Sequence, residues 1–295
     1  MYRLALVAIM IVPAIASAAE RLAKNDIVYA TIDGQKLQLD LLAPKGDAPL
    51  PCVVLLHGGA WSAGSRKDLS TPSWIDTGER GKSLLDVFAA HGFVSVSVSY
   101  RLAPKHRFPA QIQDVRTAIR FLKANAKDYN IDPKRFAVMG FSAGGHLAAL
   151  AGMAESDPEL DGKLYPEQSS RVQCVIDFFG PTDISLYADT PGVEKAGLVP
   201  WMGARAKDNP ALYKQASPLY HVTKNAPPFL IFHGNADFIV PTIHSERLHA
   251  KLKEAGVESE LVILKGRGHG WGGDDSLATS ATAAKFLTAH LGTPK

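Results

Sequence analysis

Apolar residues fall in short runs separated by turn residues, and the spacing within each run names its element. Ile27 to Thr31 and Leu37 to Leu42 flank Asp33-Gly34, and Leu37, Leu39 and Leu41 recur at period two. Asp-Gly between such runs is a hairpin signal, so an antiparallel pair of strands is expected at the start. Cys52 to Leu56 is continuously apolar, the pattern of a strand buried on both faces. Phe93 to Tyr100, Phe136 to Gly140, Val175 to Phe179, Phe229 to Phe232 and Glu260 to Leu264 add further strands. Between them run helical patterns. Pro109 opens one in which Ile112, Val115, Ala118, Ile119 and Leu122 share a face. Ala143 to Met153 is a second. A third runs from Pro241 to about Ala255 and stops at Gly256, and Leu277 to Leu291 stops at Gly292.

Strands alternating with helices predict an α/β architecture, a mostly parallel doubly wound sheet of about eight strands behind the N-terminal hairpin. Two stretches break the rhythm. Residues 60–85 form a long loop after the third strand. Residues 181–227 form an irregular insertion carrying Tyr187, Trp201, Tyr213 and Tyr220. Both follow strand C-termini, where open α/β sheets place their sites. They are expected to be walls and a partial lid of the substrate cleft, within one domain over residues 19–295.

The first residues differ in kind. Arg3 precedes an apolar run, Leu4 to Ala16, broken only by Pro13, and Ala16-Ser17-Ala18 fits a small-residue cleavage rule. This predicts a signal peptide over residues 1–18 and a secreted or periplasmic protein with no membrane segment in its mature form. The alternative, a retained anchor, asks for a run of about 20 residues, longer than this one. Export would permit a disulfide, but Cys52 and Cys174 begin different buried strands and are expected to be free thiols. A net charge of +3 with interspersed signs gives no reason to expect nucleic acid as a partner.

Gly140-Phe141-Ser142-Ala143-Gly144 is G-x-S-x-G, set between an apolar strand and a helix. The context predicts a nucleophile elbow that lifts the Ser142 hydroxyl to the sheet edge. Acyl transfer builds an oxyanion that needs fixed N–H donors. The Gly-rich His57-Gly58-Gly59-Ala60-Trp61 after the third strand supplies candidates in Gly59 and Ala60, with Ala143 as the second element of the hole. His57 is read as holding that loop.

The base must come from ten histidines. His146 is expected to pack, and His244, His249 and His290 to be solvated on helices. His91, His106 and His221 fall in loops or at element ends, and His233 in a packed turn. His269 lies in Gly266-Arg-Gly-His-Gly270, just past the last strand, where a base can reach Ser142. The orienting carboxylate is Asp237, after the penultimate strand, with Asp183 as the alternative one strand nearer. The order Ser…Asp…His is that of the α/β-hydrolase fold. No H-E-x-x-H or cysteine cluster is present, and no Gly-Lys-Ser/Thr follows Gly58-Gly59 or Gly144-Gly145, so neither a metal nor another cofactor is expected.

His57-Gly-Gly-Ala-Trp61, Ser99-Tyr-Arg-Leu-Ala-Pro104, Phe108-Pro-Ala110 with Asp114, Asn130-Ile-Asp-Pro133 and Gly140-Phe-Ser-Ala-Gly-Gly-His-Leu-Ala148 together resemble the hormone-sensitive-lipase-like esterases. Within them the chain is most similar to the bifunctional feruloyl and acetyl-xylan esterases. The resemblance spans nearly the whole mature chain. It implies a serine carboxylesterase acting on short-chain acyl or aryl esters, free or carried on a polysaccharide. Two departures stand out. Ala60 replaces the third Gly of H-G-G-G and is followed by Trp61, a form that also resembles arylformamidases. Residues 66–83, with Arg66, Lys67, Asp68 and Trp74, are longer than the family loop and are expected to reshape the pocket. Arg66 and Lys67 are expected near the open side of the cleft. Trp61 and Trp271 flank the catalytic loops and are expected to line the acyl or aryl subsite, unless they pack beneath the loops. An exported peptidase and a catalytically dead binding protein are the remaining readings.

Overall fold

The hairpin, the buried third strand and the alternation that follows all recur in a computed structural model that describes residues 21–46, 48–72, 77–153 and 157–293. The predicted signal peptide and Trp74 lie outside the described residues. The chain order is β1 (Arg21–Ile32), β2 (Gln35–Pro44), β3 (Leu50–Leu56), α1 (Lys67–Ser70), α2 (Leu84–Ala90), β4 (Val94–Val98), α3 (Ala110–Ala124), β5 (Ile131–Phe141), α4 (Ala143–Met153) and β6 (Cys174–Phe178). It continues with α5 (Ile184–Ala188), α6 (Val199–Met202), α7 (Pro210–Gln215), β7 (Phe229–Gly234), α8 (Ile243–Glu254), β8 (Ser259–Leu264) and α9 (Gly273–Leu291).

These strands form one sheet in the order β1-β2-β4-β3-β5-β6-β7-β8. β1 pairs antiparallel with β2 and β2 antiparallel with β4, while every pairing from β4 to β8 is parallel. This is an α/β-hydrolase fold. Side chains of β3 alternate between two cores. Cys52, Val54 and Leu56 join the layer beneath α3, α4 and α8, and Val53 and Leu55 join the layer beneath α2 and α9. Each such aliphatic side chain stabilises the sheet by about 1.5–3 kcal/mol. Cys52 and Cys174 are buried free thiols on strands separated by β5, as expected.

The loop expected over residues 60–85 holds α1 and runs into α2. α2 escapes periodicity because it is only seven residues long, and its start is fixed by a capping box between Ser83 and Asp86. The insertion at 181–227 contributes no residue to the lining of the cavity in front of Ser142. It folds into α5 to α7 and short irregular turns, and Trp201 and Tyr213 bury it against the core. Among the described residues, no helix is long and apolar enough to cross a membrane.

Candidate active site

β5 reaches the sheet edge at Phe141, and the chain reverses into α4 through Ser142. Ser142 takes φ +55°, a left-handed conformation that costs an L-residue energy. The turn is possible because its neighbours lack side chains. A Cβ on Gly140 would lie 2.1 Å from the Gly144 carbonyl oxygen, and one on Gly144 would lie 2.2 Å from the Leu56 carbonyl oxygen. The Ser142 N–H donates to the Phe178 carbonyl at 2.9 Å, tying the elbow to β6.

His269 arrives from the loop after β8. Its Nε2 stands 2.8 Å from Ser142 Oγ and its Nδ1 2.7 Å from Asp237 Oδ2. With Nδ1–H donating to the carboxylate, Nε2 is left to accept the serine proton. Asp237, in the turn after β7, accepts at Oδ1 from the N–H groups of Ile239 at 2.9 Å and Val240 at 3.0 Å. Burial alone would raise its pKa. Hydrogen bonds from His233, His269 and Val240, with the nearby His269 charge, outweigh burial and hold it well below the usual carboxylate range. Asp183 is elsewhere engaged: it caps α5 through the Leu186 N–H at 3.1 Å and pairs with Arg247 at 2.7 Å.

Gly59 and Ala60 line the cavity in front of Ser142, both at positive φ. Ala143 is the first residue of α4, so its N–H has no partner within the helix. His57 holds this loop from behind, as read from the sequence. Its ring stacks on Tyr100 with centroids 4.2 Å apart, and its Nδ1 bonds the Gly58 carbonyl at 2.8 Å.

Trp61 corrects the expectation of a substrate contact. It is 2% exposed and lies outside the cavity. Its indole stacks on Trp201 at 3.8 Å, and its Nε1–H donates to His146 Nδ1 at 3.1 Å. His146 Nε2–H in turn donates to the Ala216 carbonyl at 2.7 Å. Positive φ at residues 59, 60 and 61 turns Trp61 inward while its neighbours face the cavity. The 181–227 insertion therefore braces the oxyanion loop from below. Arg66 and Lys67 are also displaced from the expected place. They bind Asp40 at 2.9 Å each, Arg66 also contacts Asp26, and neither lines the cavity.

The cavity has a volume of about 490 Å³. Trp271 lines it as predicted, its Nε1–H held by Thr279 Oγ1 at 3.1 Å. Leu84 and Phe88 of α2, Met139, Phe141 and Phe178 make much of the remaining wall, and Thr77, Ser276 and Thr279 also line it. The strand pattern placed Met139 and Phe178 in the core, and nothing in their spacing separates a wall from packing; Leu84 and Phe88 fall on the helix that periodicity did not show. Phe179 was also missed. It adopts φ +46° and sets its ring 4.7 Å from His269.

His244, expected to be solvated, is buried where α8 meets Thr182. Burial lowers His57, His146 and His244 each to about 4. Their unfolded-state value is about 6.5, so the native state binds fewer protons than the unfolded chain between those limits. Stability from these groups is complete above about pH 6.5 and is lost as pH falls toward about 4, at up to about 1.4 kcal/mol per pH unit for each histidine. Thermal melts across pH 4 to 7 should show a steep drop in Tm on the acid side; a flat profile would contradict this burial.

Comparison with known proteins agrees with the geometry. The chain is 35% identical over 266 residues to Esterase LipC of Mycobacterium tuberculosis, covering 88% of this chain and 62% of LipC. It thus spans about three-fifths of that relative's length, and 53% of Esterase LipQ from the same organism. A solved carbohydrate esterase from gut microbiota superposes with a TM-score of 0.79 at 29% identity, covering 91% of this chain and 96% of that one. A thermophilic esterase from Thermogutta terrifontis, solved with propionate bound, superposes with a TM-score of 0.72 at 27% identity, covering 90% of this chain and 94% of that one. The BD-FAE family model matches residues 39–252, and the motif resemblance, the fold and this match agree: the chain belongs to the BD-FAE family of esterases.

Proposed function

We propose that this protein is an exported serine carboxylesterase that hydrolyses short-chain acyl or aryl esters through an acyl-enzyme on Ser142. The observation that carries the reading is the unbroken hydrogen-bond path from Asp237 through His269 to Ser142, opening on an apolar cavity. His269 takes the Ser142 proton as Oγ attacks the ester carbonyl. The oxyanion rests on N–H groups of Gly59, Ala60 and Ala143. The imidazolium, held by Asp237, then protonates the leaving alcohol, and water releases the acyl group by the reverse route.

Acetyl or feruloyl esters of carbohydrate are the favoured substrates. The name of a gut-microbiota carbohydrate esterase among its structural neighbours supports that class. Trp61, which motivated the arylformamidase reading, is committed to packing and lends that reading nothing.

With Trp61 out of the way, the acyl pocket is roomier than the sequence implied. Each buried methylene contributes up to about 0.8 kcal/mol, about fourfold in kcat/KM. On p-nitrophenyl esters, butyrate and hexanoate should exceed acetate, and palmitate should fall below all three. Palmitate at the top would mean that the cavity continues into a tunnel. Activity on methyl ferulate and acetylated xylan, against none on N-formylkynurenine, tests the substrate class. Export is tested by the mature N-terminus of protein from its native host, expected near Ala19.

A further inference from the structure

Behind the triad stands a second histidine that the mechanism above does not use. His233, on β7, is fully buried. Its Nε2 lies 2.8 Å from the Val240 carbonyl oxygen and 3.3 Å from Asp237 Oδ2. Its Nδ1 lies 2.6 Å from Ser245 Oγ, on α8. Both neighbours of Nε2 are acceptors only, so Nε2 carries the hydrogen and Nδ1 accepts from the Ser245 hydroxyl. The Asp237 turn is therefore clamped at both ends. The Ile239 and Val240 N–H groups hold Oδ1. His233 holds the carbonyl of that same Val240 and adds a donor to Oδ2, the oxygen that receives His269.

We infer that His233 is a positioning residue for catalysis. Locked in one tautomer by Ser245, it fixes the Asp237 carboxylate at the distance and angle that keep His269 aimed at Ser142. In the same turn Phe238 is 90% exposed and Val240 packs in the core, so His233 is the side chain that ties the packed end of the turn to the carboxylate. The inference rests on the serine-esterase reading of the site. The acid acts through the imidazolium formed during acyl transfer, so loss of the clamp lowers kcat and leaves KM almost untouched.

The test uses His233→Asn, which keeps a polar partner near Ser245 but cannot reach Val240 or Asp237. Loss of a hydrogen bond to a charged group predicts a fall in kcat of about tenfold to a hundredfold with KM little changed. His233→Gln, whose terminal amide reaches toward the Nε2 position, should recover most of it. In an Asp237→Asn background His233→Asn should cost nothing further, because the carboxylate it serves is already gone. A purely structural role would lower activity equally in both backgrounds, and that result overturns the inference. So does a folded His233→Asn enzyme with wild-type kcat. Should His233→Asn not fold, Ser245→Ala decides alone: a drop in kcat of about threefold to tenfold that vanishes in Asp237→Asn supports the clamp, and an unchanged kcat overturns it. Wild-type turnover and fluorophosphonate labelling of Ser142, measured alongside, keep the two failures apart, since their absence defeats the esterase reading itself.

Discussion

Ser142→Ala should abolish ester turnover, by about a million-fold in kcat, the size of loss seen when a triad nucleophile is removed. The substitution deletes one oxygen and nothing else. The Cβ that makes φ +55° costly remains, so the strain of the elbow is neither relieved nor increased. The flanking glycines, whose close approach to Leu56 and to each other shapes the turn, are untouched. What is lost is the 2.8 Å contact with His269, a half-exposed hydrogen bond contributing about 0.5–1.5 kcal/mol. Tm should therefore move by a few degrees at most while activity disappears. A fluorophosphonate should label the wild-type protein at Ser142 and leave the alanine variant unlabelled. Labelling at another residue, or turnover surviving at a hundredth of wild type, would place the nucleophile elsewhere.

The triad was legible because its three residues occupy positions that chain order marks. Ser142 sits in a five-residue motif between a strand and a helix, and Asp237 and His269 follow the ends of the next-to-last and last strands. Parallel strands bring those ends to one edge. The hairpin was legible for a similar reason, since Asp33-Gly34 and a period of two are local signals. Trp61 was misplaced because its direction depends on three successive positive φ values, and sequence fixes only that a Gly-rich loop is present. The insertion misled because an aromatic-rich irregular segment looks the same whether it caps a cleft or braces a loop. Only the partner decides, and Trp201 found Trp61. Arg66 and Lys67 were expected at the cleft because they lie near the oxyanion loop in sequence. In space the buried Asp40 on β2, whose charge needs partners, draws them away. Cavity walls were the least legible part, because Met139 and Phe178 obey the same alternation as any buried strand residue.

Asp237→Asn should lower kcat by about ten-thousand-fold, and the structure says why the amide cannot choose a harmless orientation. Oδ1 receives two backbone N–H groups, from Ile239 and Val240. Only a carbonyl oxygen satisfies both, so the amide nitrogen must take the Oδ2 position. There it faces His269 Nδ1 at about the 2.7 Å that the carboxylate now spans. His269 must then accept at Nδ1 and carry its hydrogen on Nε2, turned toward Ser142 Oγ. A donor stands where the base should be, and the imidazolium formed later has lost its counter-charge. KM should stay near wild type while kcat collapses, and Tm should fall, because the buried amide nitrogen also faces the Nε2–H of His233 that the carboxylate accepted. Asp183→Asn is the matched control. Asp183 caps a five-residue helix and pairs with a half-exposed Arg247, so its replacement should cost about 1 kcal/mol of stability and at most a few-fold in kcat. Steady-state kinetics of both variants on p-nitrophenyl butyrate make the comparison. A large loss in Asp183→Asn with a small one in Asp237→Asn would mean that the orienting carboxylate comes from the end of β6, and that His269 adopts another rotamer during catalysis.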